Sequence, residues 1–248
     1  MNQKLEPELL ILGNNVYQVD RTIAKVAAFD ELVEQVKQQR GGSFTCTPPL
    51  PAQNGACRVY AEYGKVRGML MQNNPGLKEI NYHDRNGHGE DCRFKVSLPW
   101  IWILCIFREV SKDRFEWCDC WLAATYEQIH KNDLSEPMYI VPLPNQYEGG
   151  RGRMCTGNAF TGMDDSMSAT AAKWCRGIWD SSFNSDLSPR FVPALRSEDD
   201  GDTRHYFERW EKLSEKNPLA ALDKSFGLYE YNESVRGFIH NALSHYVR

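Results

Sequence analysis

The sequence lacks an apolar run long enough to cross a bilayer. Its longest such run, residues 98–107, contains Pro99 and falls far short of the roughly 20 residues that a membrane helix needs. It also lacks the apolar segment of a signal peptide, since Met1 is followed by polar and acidic residues. We therefore expect a cytoplasmic protein without a membrane span, whose eight cysteines are reduced thiols.

A surplus of basic charge is missing as well. The 248-residue chain has a formal net charge of −4 and a pI near 5.9, which argues against a dedicated nucleic-acid-binding protein. Its glycines form no phosphate-binding GxxxxGK[ST] motif, and no repeat is present. The hydrophobic content of 42% is ordinary for a globular protein with a real core, and nothing indicates its oligomeric state.

The hydropathy pattern predicts an α+β fold. Extended segments around Gly13 predict a hairpin, and the apolar spacing from Ile23 to Val36 predicts an N-terminal helix. Short alternating segments then predict an antiparallel β-meander, and a long central strand with its antiparallel partner should follow. The segments are 58–63, 66–71, 78–82, 94–107 and 115–124.

The second half of the chain predicts several helices. Met167, Thr170, Ala171, Trp174, Cys175 and Ile178 share a helical stripe, with Asp164 or Asp165 as its N-cap. Further helices are expected around Trp210, after Asn217-Pro218, and after Asn232.

Two clusters of metal-binding residue types are too incomplete to predict a metal site. Cys118 and Cys120 are two apart, which on a regular strand places both side chains on one face, where core packing is the commoner role. His83 and His88 lie in a polar loop without cysteines at zinc-finger spacing. We expect no metal.

The most informative stretch runs from Glu136 to Asn158. Pro142, Pro144 and Asn145 predict a turn after a short extended segment, and the glycine-rich loop that follows leads to Cys155. Arg151 and Arg153 lie close by in sequence, and cationic neighbours favour the nucleophilic thiolate form of a cysteine. The alternative is a small, buried, unreactive cysteine.

This order resembles the active-site region of ubiquitin-conjugating (E2) enzymes, in which a His-Pro-Asn motif precedes the catalytic cysteine. Three segments look most like divergent prokaryotic E2-like proteins, a group that includes protein B of the PRTRC plasmid and phage system. They are LPWIW at 98–102, PLPN at 142–145 and RMCTGN at 153–158. The resemblance covers about residues 56–180, with Leu143 where the family has histidine.

The resemblance implies an E2-like core at 56–180, an N-terminal hairpin and helix at 1–55, and a helical extension at 181–248. Cys155 would carry a ubiquitin-like modifier as a thioester, and Asn145 would stabilise the oxyanion during transfer to an amine. Candidates for orienting or deprotonating the incoming lysine are Tyr147, Asp164 and Asp165. The implied partners are an E1-like activating enzyme, the modifier and a protein target, with no cofactor.

Two alternatives stay open. The first is a noncatalytic E2-like-fold interaction or assembly protein of a phage or plasmid system, which the absent histidine and the seven Trp and eleven Tyr residues would suit. The second is a hydrolase that pairs Cys155 with His205 or His240, for which no local motif is present.

Overall fold

The fold is α+β, as predicted, with one large curled antiparallel sheet and helices mostly in the C-terminal half. The computed structural model describes residues 8–12, 15–19, 44–47, 57–83, 91–112, 114–129, 134–147, 152–155, 163, 166–184, 192–196 and 203–247. The predicted N-terminal helix lies outside these residues.

Twelve strands and three helices are present within the described residues. The strands are β1 (Glu8–Leu12), β2 (Asn15–Val19), β3 (Phe44–Thr47), β4 (Cys57–Tyr63), β5 (Val66–Asn73), β6 (Gly76–His83), β7 (Asp91–Leu98), β8 (Trp100–Ser111), β9 (Arg114–Thr125), β10 (Pro137–Tyr139), β11 (Ser182–Asn184) and β12 (Glu230–Ser234). The helices are α1 (Met167–Asp180), α2 (Thr203–Lys216) and α3 (Val235–Ser244).

The strands form three sheets. The predicted N-terminal hairpin is confirmed, because β1 and β2 pair antiparallel. Seven strands form the large sheet in the order β12-β10-β9-β8-β5-β4-β3, and a smaller sheet has the order β11-β6-β7. The predicted pairing of the two central strands, β8 and β9, is also confirmed.

The predicted meander and the predicted long central strand are each wrong in one respect. Strand β5 pairs with β8 instead of continuing the meander to β6, and the predicted strand 94–107 is divided at Pro99 into β7 and β8. The β5–β8 ladder ends where Asn73 faces Ile101, and the β6–β7 ladder begins where Gly76 faces Leu98. The two ladders thus share one register and form a single ribbon, interrupted at Pro75 and Pro99. Proline has no N–H to give to a ladder, so these positions divide the ribbon between two sheets.

The large sheet has an apolar core on each face. Helices α1 and α2 pack over one face with the small sheet, and their buried residues join Met69, Ile103 and Leu122 in one cluster. Helix α3 covers the opposite face, against Leu70 and Trp102. The last 45 described residues therefore complete the core, and β12 adds an edge strand to the large sheet.

Helix α1 confirms the predicted stripe but not its cap. Thr170, Ala171, Trp174 and Ile178 are buried, whereas the N-cap is Ser166, whose hydroxyl accepts a hydrogen bond from the Ala169 N–H. The proposed caps Asp164 and Asp165 lie outside the described residues.

Two C-terminal predictions need correction. Ser234, not Asn232, caps α3, since the Ser234 hydroxyl accepts from the Gly237 N–H at 3.2 Å. Asn217-Pro218 begins no α-helix. The Asn217 side chain instead accepts from the Leu219 N–H, and two short 3-10 turns follow at Ala220–Leu222 and Lys224–Phe226. No helix in the described part of the chain combines the length and the hydropathy needed to span a membrane.

Candidate functional site

The candidate site is built on residues 152–155, which we call the cysteine segment. The Leu122 N–H of β9 donates to the Gly152 carbonyl at 2.7 Å, and the Met154 N–H donates to the Cys120 carbonyl at 3.0 Å. These bonds attach the segment to the outer edge of β9, beside β10. Cys155 is therefore held one residue beyond a sheet-bonded backbone.

The other side of the cysteine segment pairs with residues 145–147. The Cys155 N–H donates to the Asn145 carbonyl at 2.6 Å, and the Tyr147 N–H donates to the Arg153 carbonyl at 3.0 Å. Three of the candidate site residues, Cys155, Asn145 and Tyr147, are thus neighbours. The candidates Asp164 and Asp165 lie outside the described residues.

The Asn145 side chain has a structural role. Its backbone φ of 64° lies in the left-handed region, which asparagine tolerates better than most residues. The amide oxygen accepts from the Asn184 N–H at 3.2 Å, and the amide nitrogen donates a longer bond, 3.4 Å, to the Ser182 carbonyl. The amide therefore makes the kind of hydrogen bonds to β11 that the backbone of a neighbouring strand would make.

Tyr147 contacts the cysteine directly. Its hydroxyl is hydrogen-bonded to the Cys155 thiol, and this bond is the main reason that the pKa of Tyr147 is raised above its ordinary value. The phenol is therefore a hydrogen-bond donor at neutral pH. The Cys155 side chain is half-buried, while Tyr147 is 41% exposed, so the pair lies at the protein surface.

Asp119 also belongs to this site, although no sequence pattern predicted a functional role for it. Its carboxylate accepts from the Arg153 Nε and the Tyr246 hydroxyl, both at 2.6 Å, and from the Cys120 N–H at 2.8 Å. An acid within the apolar run from Trp117 to Ala124 was the available signal, because a buried carboxylate needs partners. The partners lie 34 and 127 residues away, so the sequence did not identify them.

A β-bulge next to Asp119 makes the prediction about Cys118 and Cys120 wrong. Ile106 faces Asp119 while Phe107 faces Trp117, so Cys118 is an extra residue in β9. Cys118 consequently packs on the α3 side of the sheet, and Cys120 packs in the core on the other side. The two thiols do not share a face.

Burial raises the pKa of four of the other thiols, whereas Cys92 and Cys175 are half-buried, as Cys155 is. Burial raises the pKa of Cys57 to about 12 and that of Cys118 to about 11, and it raises the pKa values of Cys105 and Cys120 well above the usual range. A raised pKa leaves little of the reactive thiolate at neutral pH.

We expect alkylation of the native protein near neutral pH to separate these groups. Iodoacetamide should modify Cys155 at least about 10-fold faster than Cys57, Cys105 or Cys120, because burial shields these three sulfurs from the reagent and disfavours their thiolate form. Mass spectrometry of each cysteine over time measures the ratio. Equal rates at Cys155 and Cys105 in the folded protein would contradict the burial pattern.

The histidines considered from the sequence have other contacts. The His240 ring lies 5.0 Å from the Phe44 ring and 5.3 Å from the Tyr63 ring, and His205 is exposed on α2. His83 bonds Asp91 at 2.8 Å across the end of the ribbon, whereas His88 lies outside the described residues. Within those residues, no group of three or more metal-ligating side chains converges on a common point.

Comparisons of the chain with protein-family models, curated proteins and solved structures find no match.

Proposed function

We propose that this protein is an E2-like acyl carrier, which receives a ubiquitin-like modifier on Cys155 and transfers it to an amine. The observation that carries the proposal is the half-buried Cys155 thiol, fixed beside sheet-bonded backbone and hydrogen-bonded to the Tyr147 phenol. A nucleophilic cysteine needs access to its substrate and a rigid position, and the site has both.

The resemblance in sequence adds the reaction. The Cys155 thiolate attacks the thioester carbonyl at the C-terminus of the modifier, a new C–S bond forms, and the cysteine of an E1-like activating enzyme leaves as a thiolate. An amine of the target protein then attacks the Cys155 thioester. The C–N bond forms, the Cys155 sulfur leaves as a thiolate, and the amine proton passes to water. No metal or organic cofactor takes part in these steps.

Asn145 is the proposed oxyanion donor. Among the described residues, its amide nitrogen donates only the 3.4 Å bond to the Ser182 carbonyl, which is weak enough to be exchanged for a bond to a developing oxyanion. Tyr147 is proposed to orient the incoming amine, together with Asp164 or Asp165. The order of an extended segment, a Pro-Asn turn, a cysteine and then helix α1 agrees with the proposed E2-like core at residues 56–180.

The proposal is tested with a short peptide that ends in Gly-Gly and is activated as a mercaptoethanesulfonate thioester. We expect one acyl group on the wild-type protein, located at Cys155, removed by hydroxylamine and absent from Cys155→Ser. Added lysine should discharge it faster than hydrolysis does. Intact-mass spectrometry measures both steps, and acylation confined to Cys92, or discharge that lysine does not accelerate, would refute the proposal.

Asn145→Asp separates loading from transfer. Aspartate keeps the acceptor for the Asn184 N–H but has no N–H donor, so we expect loading of Cys155 to be unchanged. Discharge onto lysine should fall by about 10²-fold or more, the usual effect of removing one oxyanion donor. Asn145→Gly, which also tolerates the positive φ, is the control that removes the amide without adding charge.

The second candidate is a noncatalytic interaction or assembly protein. Two observations favour it: Leu143, at the position of the family histidine, is fully buried in the core, and the Asn145 amide is already bonded to β11. On this hypothesis Cys155→Ser and Asn145→Asp leave the function intact, and neither lysine discharge nor selective loading occurs.

A further inference from the structure

The side chains behind Tyr147 and Cys155 form a continuous chain of contacts. At one end, Asp119 is almost fully buried, with 7% of its side chain exposed, and Arg153 and Tyr246 bond the same carboxylate oxygen. Its second oxygen accepts from the Cys120 N–H. A carboxylate with these three bonds has a fixed position, which the β-bulge at Cys118 helps to set.

Arg153 connects Asp119 to Tyr147. Partial burial by itself lowers the pKa of Arg153, but the hydrogen bond and the charge of Asp119 outweigh it, and the pKa is raised overall. The guanidinium carbon lies 4.9 Å from the centre of the Tyr147 ring, within the range of a cation–π contact. Because Asp119 holds the Arg153 Nε, the planar face of the guanidinium remains available for the ring.

Tyr147 needs such support because it is one of the few large apolar side chains that are exposed within the described residues. A phenol at the surface samples several rotamers unless a neighbour holds it. The stack on Arg153 and the bond from the hydroxyl to Cys155 fix its two ends.

We propose that Asp119 and Arg153 are positioning residues that hold the Tyr147 phenol against the Cys155 thiol and thereby set the reactivity of Cys155 toward electrophiles. This inference rests on the proposed function only in taking Cys155 as the reacting group. It assigns roles to Asp119 and Arg153 that the sequence resemblance does not assign. The phenol donates a hydrogen bond to the sulfur at which an electrophile reacts.

The groups that face this chain of contacts are few among the described residues. The pKa of Tyr147 is affected by Cys155, Arg153 and Asp119. The pKa of Arg153 is affected by Asp119, Tyr246 and Tyr147. Burial is the main cause that raises the pKa of Tyr246, and the bond to Asp119 raises it further, so Tyr246 stays protonated at neutral pH. The pKa of Tyr147 is raised from 10.0, so its hydroxyl remains a donor below that pH.

The test is the pH–rate profile of iodoacetamide labelling at Cys155, from about pH 6 to pH 9, with Cys92 as internal reference. In Tyr147→Phe, we expect the rate at pH 7 to fall by about 3- to 10-fold, since one hydrogen bond to the reacting sulfur is lost. Arg153→Lys keeps the charge but loses the planar stack, so we expect a fall of similar size.

The double variant decides between positioning and simple charge. If Arg153 acts through Tyr147, Tyr147→Phe/Arg153→Lys is no slower than Tyr147→Phe alone. If Arg153 acts only as a nearby charge, Arg153→Lys keeps the wild-type rate, and Arg153→Gln slows labelling equally with and without the phenol. That second set of results, or an unchanged rate in Tyr147→Phe, overturns the inference.

A matched control is present elsewhere in the chain. Arg196 and Tyr229 form a similar pair, with the guanidinium carbon 5.7 Å from the ring centre, so Tyr229→Phe should leave labelling of Cys155 unchanged. If Asp119→Asn folds, its labelling rate at Cys155 should fall as in Arg153→Lys. The Tyr147 and Arg153 variants decide the inference without it. Alkylation requires no modifier. If labelling of Cys155 changes as expected in the variants but no acyl transfer is observed, only the proposed function is refuted. Normal acyl transfer with an unchanged Tyr147→Phe profile would refute only the positioning role.

Discussion

Replacing Gly152 with alanine should destabilise the protein by about 3 kcal/mol or more and should disorganise the cysteine segment. Gly152 has a φ of +93°, and a Cβ built on it would lie 2.2 Å from the Leu122 carbonyl oxygen and 2.4 Å from the Tyr231 hydroxyl. The Leu122 oxygen is backbone in the middle of β9 and accepts from Tyr231 at 3.1 Å. Neither atom can move without losing that bond.

Urea unfolding of Gly152→Ala measures the loss, and labelling of Cys155 reports on the site. The bond from the Leu122 N–H to Gly152 attaches the cysteine segment to β9, so we also expect the pairing of Cys155 with Tyr147 to be lost. Gly76→Ala is the matched control. Gly76 also has a positive φ, +130°, but no atom lies within 4 Å of its added Cβ, so only backbone strain of about 1–3 kcal/mol is expected. Equal losses in the two variants would contradict the steric argument.

Local pattern predicted the parts of the fold that depend on neighbours in sequence. The stripe from Met167 to Ile178 formed α1, and the apolar segments around Leu104 and Trp121 paired as β8 and β9. Periodicity and turn residues carry this information because each acts within a few positions. The resemblance to E2 enzymes, and not the local pattern, implied that Asn145 and Cys155 would be close, and a 2.6 Å backbone bond joins them.

The failures concern choices that local sequence leaves open. Asp164, Asp165 and Ser166 can all cap a helix, and the N-cap is Ser166. The predicted strand 94–107 ran through Pro99, and nothing nearby specified that β7 and β8 would belong to different sheets. The bulge at Cys118 reversed the face predicted for that thiol, since strand periodicity assumes a regular ladder.

The site could be predicted only in part for a related reason. Cys155, Asn145 and Tyr147 lie within eleven residues, so a single stretch of sequence suggested them. Asp119 and Tyr246 reach the site through the sheet and the end of α3, and their bond spans 127 residues. One sequence contains no signal for such a contact beyond an acid in an apolar strand.

The second large effect is expected at Trp210, which fixes α2 to the edge of the small sheet. Its ring is fully buried among Tyr206, Phe207 and Phe226, with ring centres 5.7 to 6.0 Å away. Its indole N–H donates to the Ser97 carbonyl of β7 at 3.0 Å.

Ser97 makes this contact more demanding than apolar packing alone. Its N–H donates to the Ser214 hydroxyl at 2.7 Å, and its own hydroxyl accepts from the Ala221 N–H at 3.2 Å. Ser214 belongs to α2, and Ala221 belongs to the 3-10 turn that follows it. The two elements therefore cover the edge strand β7 and form hydrogen bonds with its polar groups at Ser97. An open strand edge would otherwise be free to pair with another chain.

We therefore expect Trp210→Ala to cost about 3–5 kcal/mol, the range for deleting a buried aromatic side chain. Trp210→Phe keeps most of the apolar volume and should cost about 1–3 kcal/mol, mainly from leaving the Ser97 carbonyl without its donor. Urea midpoints at constant m-value measure both changes, and Leu219→Ala, at an exposed position nearby, should stay within about 0.5 kcal/mol of wild type. If Trp210→Phe is as stable as wild type, the bond to Ser97 contributes nothing, and α2 is held on β7 by apolar packing alone.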